Sequence, residues 1–139
     1  MLSDDQRRAL RSLAEMMIPA STEFGVPSAA DDAIFADILR SFGRDEHHVM
    51  TVLRELEGFA DLDPQARQAK VAQLRDQRSA ALSGLSSVVL QCYYRDDRVM
   101  RSLGMEPRPP FPKGHEVEQG DWSLLDPVRK RPKFYREAP

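Results

Sequence analysis

Few side chains in this 139-residue chain have the type and spacing to do chemistry. His47 and His48, behind Asp45 and Glu46, are its one adjacent histidine pair. Helical metal sites place their ligands one turn apart, at i and i+3 or i+4, so that they share a face. Neighbouring residues instead diverge by about 100° on a helix with 3.6 residues per turn. The pair therefore reads as exposed polar residues at a helix start, and no Glu-x-x-His pairs stand elsewhere to build a di-iron centre. The single cysteine, Cys92, falls within an apolar helical stripe, where a thiol acts as a small buried hydrophobe. A nucleophilic role would need a histidine partner and a lowered pKa, and the sequence indicates neither. The seven glycines are scattered, and none forms a phosphate-cradling Gly-x-Gly-x-x-Gly. These residues assign no catalytic, cofactor-binding or metal-binding side chain, and the chain reads as not catalytic by itself.

Two polar clusters remain. Tyr93-Tyr94-Arg95-Asp96-Asp97-Arg98 stands at a junction between two helical stretches. It has a structural reading, in which Asp96 caps, Tyr93 packs and Arg98 pairs with a carboxylate. It also has a functional reading, in which Tyr94, Arg95 and Arg98 form a recognition patch, since Tyr and Arg carry interface energy well. The second cluster, Arg129-Lys130-Arg131-Pro132-Lys133 with Arg136, holds five bases and no acid. With 20 basic against 22 acidic residues and a net charge of -2, no other face is evidently basic, so nucleic acid is not the expected partner. A solvated end or a clamp on an acidic partner fits better. No apolar run approaches the roughly 18 residues of a membrane span, so no direct membrane insertion is expected.

The elements that must position these residues are helical up to Gly104. Ser3 with Gln6 reads as a capping box; Leu10, Leu13 and Met17 follow at helical spacing, and Pro19 stops the element. After a loop at Ser21 to Ser28, Ile34, Phe35, Ile38, Leu39 and Phe42 form a stripe behind Asp31-Asp32, closed by Gly43. Val49, Val52, Leu53, Leu56 and Phe59 repeat the spacing, and Asp63-Pro64 opens a more polar helix with Ala66, Val71 and Leu74. Leu82, Leu85, Val88, Val89, Cys92 and Tyr93 give the most continuous apolar helix. Asp96 or Asp97 caps a last one through Val99, Met100 and Leu103. No stretch alternates with period two. The expected fold is all-α, a small bundle of five to six helices over residues 1–104.

Residues 105–139 differ. Seven of the ten prolines lie in 107–139, which forbids helix to at least Gly114 and leaves room for one short helical turn around Ser123 to Asp126. Yet this proline-rich, irregular arm carries Phe111, Trp122, Leu125, Phe134 and Tyr135, including the sole tryptophan. Fixing 35 backbone residues costs more conformational entropy than burial of these side chains returns, so an ordered arm needs more surface than its own bundle offers. The preferred reading is an arm that clasps another chain; one that wraps its own bundle or stays free are the alternatives.

The chain resembles the gluconate 2-dehydrogenase subunit 3 family. The resemblance rests on Leu13 through Ile18-Pro19-Ala20, on Glu23-Phe24-Gly25-Val26-Pro27-Ser28-Ala29, and on Phe35-Ala36-Asp37-Ile38-Leu39. It continues through Tyr93-Tyr94-Arg95-Asp96-Asp97-Arg98-Val99 to Leu103-Gly104, then Arg108-Pro109-Pro110-Phe111-Pro112-Lys113-Gly114. It implies a noncatalytic helical small subunit of a heteromeric, FAD-dependent oxidoreductase acting on an alcohol or sugar hydroxyl. The large FAD-binding partner, of the glucose–methanol–choline type, would supply flavin and catalytic histidine. In some such complexes a multihaem cytochrome c takes the electrons. On this reading Tyr94, Arg95, Arg98, Phe111, Trp122, Leu125, Phe134 and Tyr135 bind the partner, stabilising it and shaping its substrate entrance. A free-standing helical adaptor whose arm binds other partners is the alternative. Small subunits of the family often carry a twin-arginine signal, whereas Arg11 and Glu15 break any apolar stretch after Arg7-Arg8. The expected location is therefore cytoplasmic if the chain is full length, with a periplasmic one by co-export with a partner as the alternative.

Overall fold

The computed structural model describes residues 2–109, 111–114, 116–134 and 136. Tyr135, one of the expected contact residues, lies outside the described residues. Among the described residues the chain is all-α, with seven α-helices, three short 3-10 turns and one isolated antiparallel bridge between Ser21 and Val26. It divides into two compact units, Met1–Pro107 and Arg108–Pro139.

In the first unit α1 spans Asp4–Met17, α2 Asp32–Arg40, α3 Glu46–Glu55, α4 Pro64–Asp76, α5 Ala80–Tyr94 and α6 Asp97–Ser102. Side-chain caps set most of the starts. Ser3 Oγ accepts from the Gln6 amide at 3.2 Å while Gln6 Oε1 accepts from the Ser3 amide at 3.0 Å, the reciprocal capping box the sequence predicts. Asp31, Asp63, Ser79 and Asp96 accept from the first-turn amides of α2, α4, α5 and α6, and Pro64 takes the first helical position of α4.

The core gathers around α5, whose buried residues are Leu85, Val88, Val89, Cys92 and Tyr93. Helix α3 packs along it through Val49, Val52 and Leu53, and α2 adds Ile34, Phe35 and Ile38. Helix α1 closes the other side of α3 with Ala9, Leu10, Leu13 and Ala14. Each of the Leu, Ile, Val and Phe side chains among them contributes about 1.5–3 kcal/mol of burial. In contrast α4 buries only Leu74, in keeping with the polar pattern of its sequence.

Two stripes read from spacing outrun their helices. Helix α2 stops at Arg40, so Phe42 is half-buried from the turn beyond it. Helix α3 stops at Glu55, yet Leu56 and Phe59 are both 1 % exposed. Gly58, at φ +69°, turns the chain into a 3-10 segment at Phe59–Asp61 and delivers Phe59 to the core. The Gly58 amide donates to Asp5 Oδ2 at 3.2 Å, and Arg8 pairs with Asp61 at 2.8 Å, tying this turn to α1. Periodicity names the buried residues here, but side-chain and backbone contacts distant in sequence decide where the helix ends.

The second unit begins with a turn in which the Arg108 guanidinium donates to the Pro109 carbonyl at 3.1 Å and to the Gly114 carbonyl at 2.6 Å. Further on, a 3-10 turn at Trp122–Leu125 runs into α7, Asp126–Arg129. Asp121 starts it, accepting from the Ser123 amide at 3.0 Å and the Ser123 hydroxyl at 2.6 Å. The helical segment is longer than the single turn read from the sequence because Pro127 sits in the first turn of α7, where a missing amide costs nothing.

At Gly84 helix α5 runs close against His48 of α3. A Cβ built there would lie 2.6 Å from His48 Cδ2 and 2.8 Å from His48 Cβ. Overpacking of this kind costs about 1–3 kcal/mol, whereas Gly→Ala inside a helix returns about 1. Gly84→Ala should therefore lower the melting temperature by several degrees, roughly 5 °C for a net loss near 1 kcal/mol. Adding His48→Ala removes the ring but leaves the His48 Cβ position 2.8 Å away, so it should restore only part of the loss. A higher melting temperature for Gly84→Ala alone would show that the contact is not tight.

Candidate functional site

The junction between α5 and α6 brings together the polar cluster singled out in the sequence. Arg98 joins the caps of two helices. Its guanidinium contacts Asp31 at 2.7 and 3.2 Å and Asp96 at 3.0 Å through both Nε and Nη2. Asp31 meanwhile accepts from the Ala33 amide at the start of α2, and Asp96 from the Arg98 amide at the start of α6. One cation thus holds two carboxylates, each already bound to a helix N-terminus, where negative charge is favoured. Arg95 performs the parallel task one turn earlier. Its Nε donates to Asp37 at 2.6 Å, and Nη2 contacts the Ser41 hydroxyl and lies 3.5 Å from Cys92 Sγ.

The electrostatics follow this geometry. Hydrogen bonding from Arg98 holds the Asp31 and Asp96 carboxyls below the usual carboxylate range, and Arg95 does the same for Asp37. The two guanidiniums are pushed further up, Arg98 first by Asp96 and then by Asp31, Arg95 by Asp37. Burial raises the Cys92 thiol, which disfavours the thiolate, and it raises the Tyr93 phenol. The arrangement is chemically suited to fixing the ends of α2, α5 and α6 against one another. All the contacts of the structural reading are present: Asp96 caps, Tyr93 is buried with its hydroxyl donating to the Pro27 carbonyl at 3.2 Å, and Arg98 is paired. Both arginine side chains nonetheless stay about half exposed, at 52 % for Arg95 and 45 % for Arg98.

Tyr94 points away from that latch. It is 52 % exposed and meets the Tyr93 ring edge-on, with centroids 5.3 Å apart. Beside it opens a hollow of about 300 Å³ lined by Ile18, Phe24, Val26, Tyr94, Val99 and Leu103, among others. Phe24 is carried by a tight loop in which Ser21 and Val26 exchange amide–carbonyl hydrogen bonds at 3.0 Å, Gly25 takes φ +62°, and the Phe24 amide donates to Ser21 Oγ. Phe24 and Leu103 are 66 % and 57 % exposed, so three large apolar or aromatic side chains rim one recess at the surface. Sequence reasoning picked out Tyr94 but did not set Phe24 and Leu103 beside it. The available signal was an aromatic residue within the polar turn Ser21 to Gly25, too bulky for such a loop to need.

In the second unit Phe111, Trp122, Leu125 and Phe134 are all exposed, with Phe134 at 88 %. The structure places Trp122 and Leu125 at the two ends of one 3-10 turn. The histidine pair stands in the first turn of α3 with ring centroids 3.7 Å apart. His48 differs from the expected exposed polar residue: it is half-buried because its ring lies over Gly84. Among the described residues no three His, Cys, Asp or Glu side chains group so as to hold a metal ion, and no helix is long and apolar enough to cross a membrane. Comparison with protein-family models, with curated proteins and with solved structures finds no match for this chain.

The depressed carboxyls give the latch a pH signature. Asp31, Asp37 and Asp96 have folded pKa values below their unfolded ones, so their contribution to stability is complete above the ordinary Asp value, about 3.9, and is lost as pH falls through the folded values. The melting temperature should hold between about pH 5 and 7 and drop below about pH 4. Arg98→Met should cost about 1 kcal/mol at neutral pH, a modest figure because the pairs are partly solvated, and should flatten the acid limb. Equal acid sensitivity in both proteins, measured by thermal denaturation, would remove Arg98 as its source.

Proposed function

We propose that this chain is a noncatalytic small subunit of a heteromeric, FAD-dependent oxidoreductase acting on an alcohol or sugar hydroxyl. Its task is to stabilise the large catalytic subunit and to shape the substrate entrance. The large subunit, of the glucose–methanol–choline type, carries the FAD and the catalytic groups, and a cytochrome c serves as electron acceptor in some assemblies. The family resemblance supplies the identity of the partner. The observation that carries the need for a partner is the exposure of large apolar side chains in both units, Phe24, Tyr94 and Leu103 in the first, Phe111, Trp122 and Phe134 in the second. Scattered exposed apolar residues are ordinary in a monomer, but aromatic ones gathered around a recess mark binding surfaces. The irregular proline-rich arm over 105–139 is the part proposed to pack on the large subunit.

A second reading, a free-standing adaptor, draws on a different observation. The buried core residues run from Ala9 to Val99, so the helical bundle holds a core of its own within the first unit. Such a bundle could present its arm to partners that carry no flavin.

Affinity for the co-expressed flavin-binding subunit separates the two. Tyr94→Ser and Trp122→Ala should each weaken it by roughly 30-fold, about 2 kcal/mol, as expected for aromatic anchors. Neither should move the melting temperature of the small chain by more than a degree or two, since both side chains are exposed. Undiminished affinity in both variants would contradict the proposed contact surfaces, and full indifference of the natural chain to the flavoprotein would favour the adaptor.

A further inference from the structure

Helix α4 buries only Leu74, and a groove of about 710 Å³, more than twice the recess beside Tyr94, opens between it, α1 and α5. Eight of its eleven lining residues are apolar, and none is aromatic. Of these Leu13 and Leu74 are buried, whereas Met16 and Leu90 are 37 % and 42 % exposed. The three polar lining residues are Gln68 and Arg75 on α4 and Ser86 on α5. Gln68, Ala72 and Arg75, at i, i+4 and i+7, share one face of α4. Leu82, Ser86 and Leu90 form a stripe along α5 that is about 12 Å long at the helical rise per residue. Among the described residues the Gln68, Arg75 and Ser86 side chains make no hydrogen bond or ion pair, and no carboxylate lines the groove. Glu15 and Asp76, next in sequence to Met16 and Arg75, are exposed and outside that lining. We infer that this groove is a binding site for an unbranched aliphatic carboxylate, whose chain lies along the α5 stripe and whose headgroup meets Arg75.

Each part of that ligand answers a feature of the lining. A cation would meet Arg75 with like charge. A neutral apolar molecule would set a guanidinium, an amide and a hydroxyl against a surface that accepts no hydrogen bond. A carboxylate accepts from all three, and the planar fork of one guanidinium matches its two oxygens and its single charge. The body is an alkyl chain because no ring lines the groove for an aromatic ligand to stack on. Met16 and Met17, by contrast, are unbranched and adapt their shape to a flexible chain. An extended peptide would bring an amide and a carbonyl per residue into a groove with three polar side chains. The volume falls within the roughly 300–1,000 Å³ of small-molecule sites, which likewise pair a mostly apolar lining with a few polar groups. The site belongs to the small chain itself and does not depend on the flavin-binding partner.

The test is calorimetric titration of the full chain with decanoate and with decanol, which has the same chain length and no charge. The natural chain should take up one decanoate, and decanol should bind about 5-fold more weakly, a modest factor because Arg75 is exposed. Arg75→Gln should weaken decanoate by about the same 5-fold and leave decanol unchanged. Ala72→Trp, which fills the groove, should abolish the uptake of both. Arg75 and Ala72 are exposed, so both variants should keep the helical circular dichroism of the natural chain. No saturable uptake of decanoate by the natural chain overturns the inference. So does uptake that Arg75→Gln leaves unchanged, or a decanol affinity equal to that of decanoate. Where decanoate fails to bind, two other occupants have their own signatures. A dimer by light scattering that Ala72→Trp dissolves assigns the groove to a second copy of this chain. Weaker binding of the co-expressed flavin-binding subunit by Ala72→Trp assigns it to that partner, so the subunit reading survives while the ligand site does not.

Discussion

The seam between α3 and α5 is the contact on which the rest of the first unit depends. Gly84 tightens it: with no side chain at that position, α5 lies close against the His48 ring of α3. That approach lets Val49, Val52 and Leu53 meet Leu85, Val88 and Val89 at the density of a protein interior. Helix α5 then has its second flank free for α2, and its last turn brings Cys92 and Tyr93 into the same core. A residue usually counted against helix formation here tightens the most extensive helix–helix contact of the bundle.

From that seam the placement of the polar junction follows. Once α5 is fixed, its end at Tyr94 sets where Arg95 and Arg98 can reach, and both reach back to α2, to Asp37 and to the cap at Asp31. Arg98 therefore makes the N-termini of α2 and α6 a common site for negative charge. The same geometry turns Tyr94 outward, next to Phe24 and Leu103. Polar fixation on one side of the junction and an apolar recess on the other arise from one constraint, the fixed end of α5. The two readings of the cluster are thus compatible: the arginines secure the platform, and the aromatic residues beside them furnish the surface proposed for recognition.

Helix positions were largely legible in the sequence because local chemistry sets them. Ser3 with Gln6, Asp63 with Pro64, and Asp96 satisfy backbone amides within three residues, and such signals survive without tertiary knowledge. Helix ends were less legible. The stripe through Leu56 and Phe59 is real as a record of burial, but Gly58 breaks the helix and contacts with Asp5, more than fifty residues away, hold the break. Of the candidate site, residue types at positions 93–98 pointed to caps and pairs, whereas the partners Asp31 and Asp37 could not be read, because they lie about sixty residues upstream. The recess beside Tyr94 was illegible for the same reason. Phe24 and Leu103 are nearly eighty residues apart, and only the fold sets them on one rim.

We propose that these units belong to a larger, flavin-bearing assembly. The most direct measurement is the molar mass and flavin absorbance of the tagged, full-length protein purified gently from its native cells, by size-exclusion chromatography with light scattering. The expected result is a yellow species well above the mass of one chain, in which a large FAD-binding polypeptide accompanies the small one in fixed ratio. A colourless species with the mass of a single chain, stable and free of any companion, would contradict it.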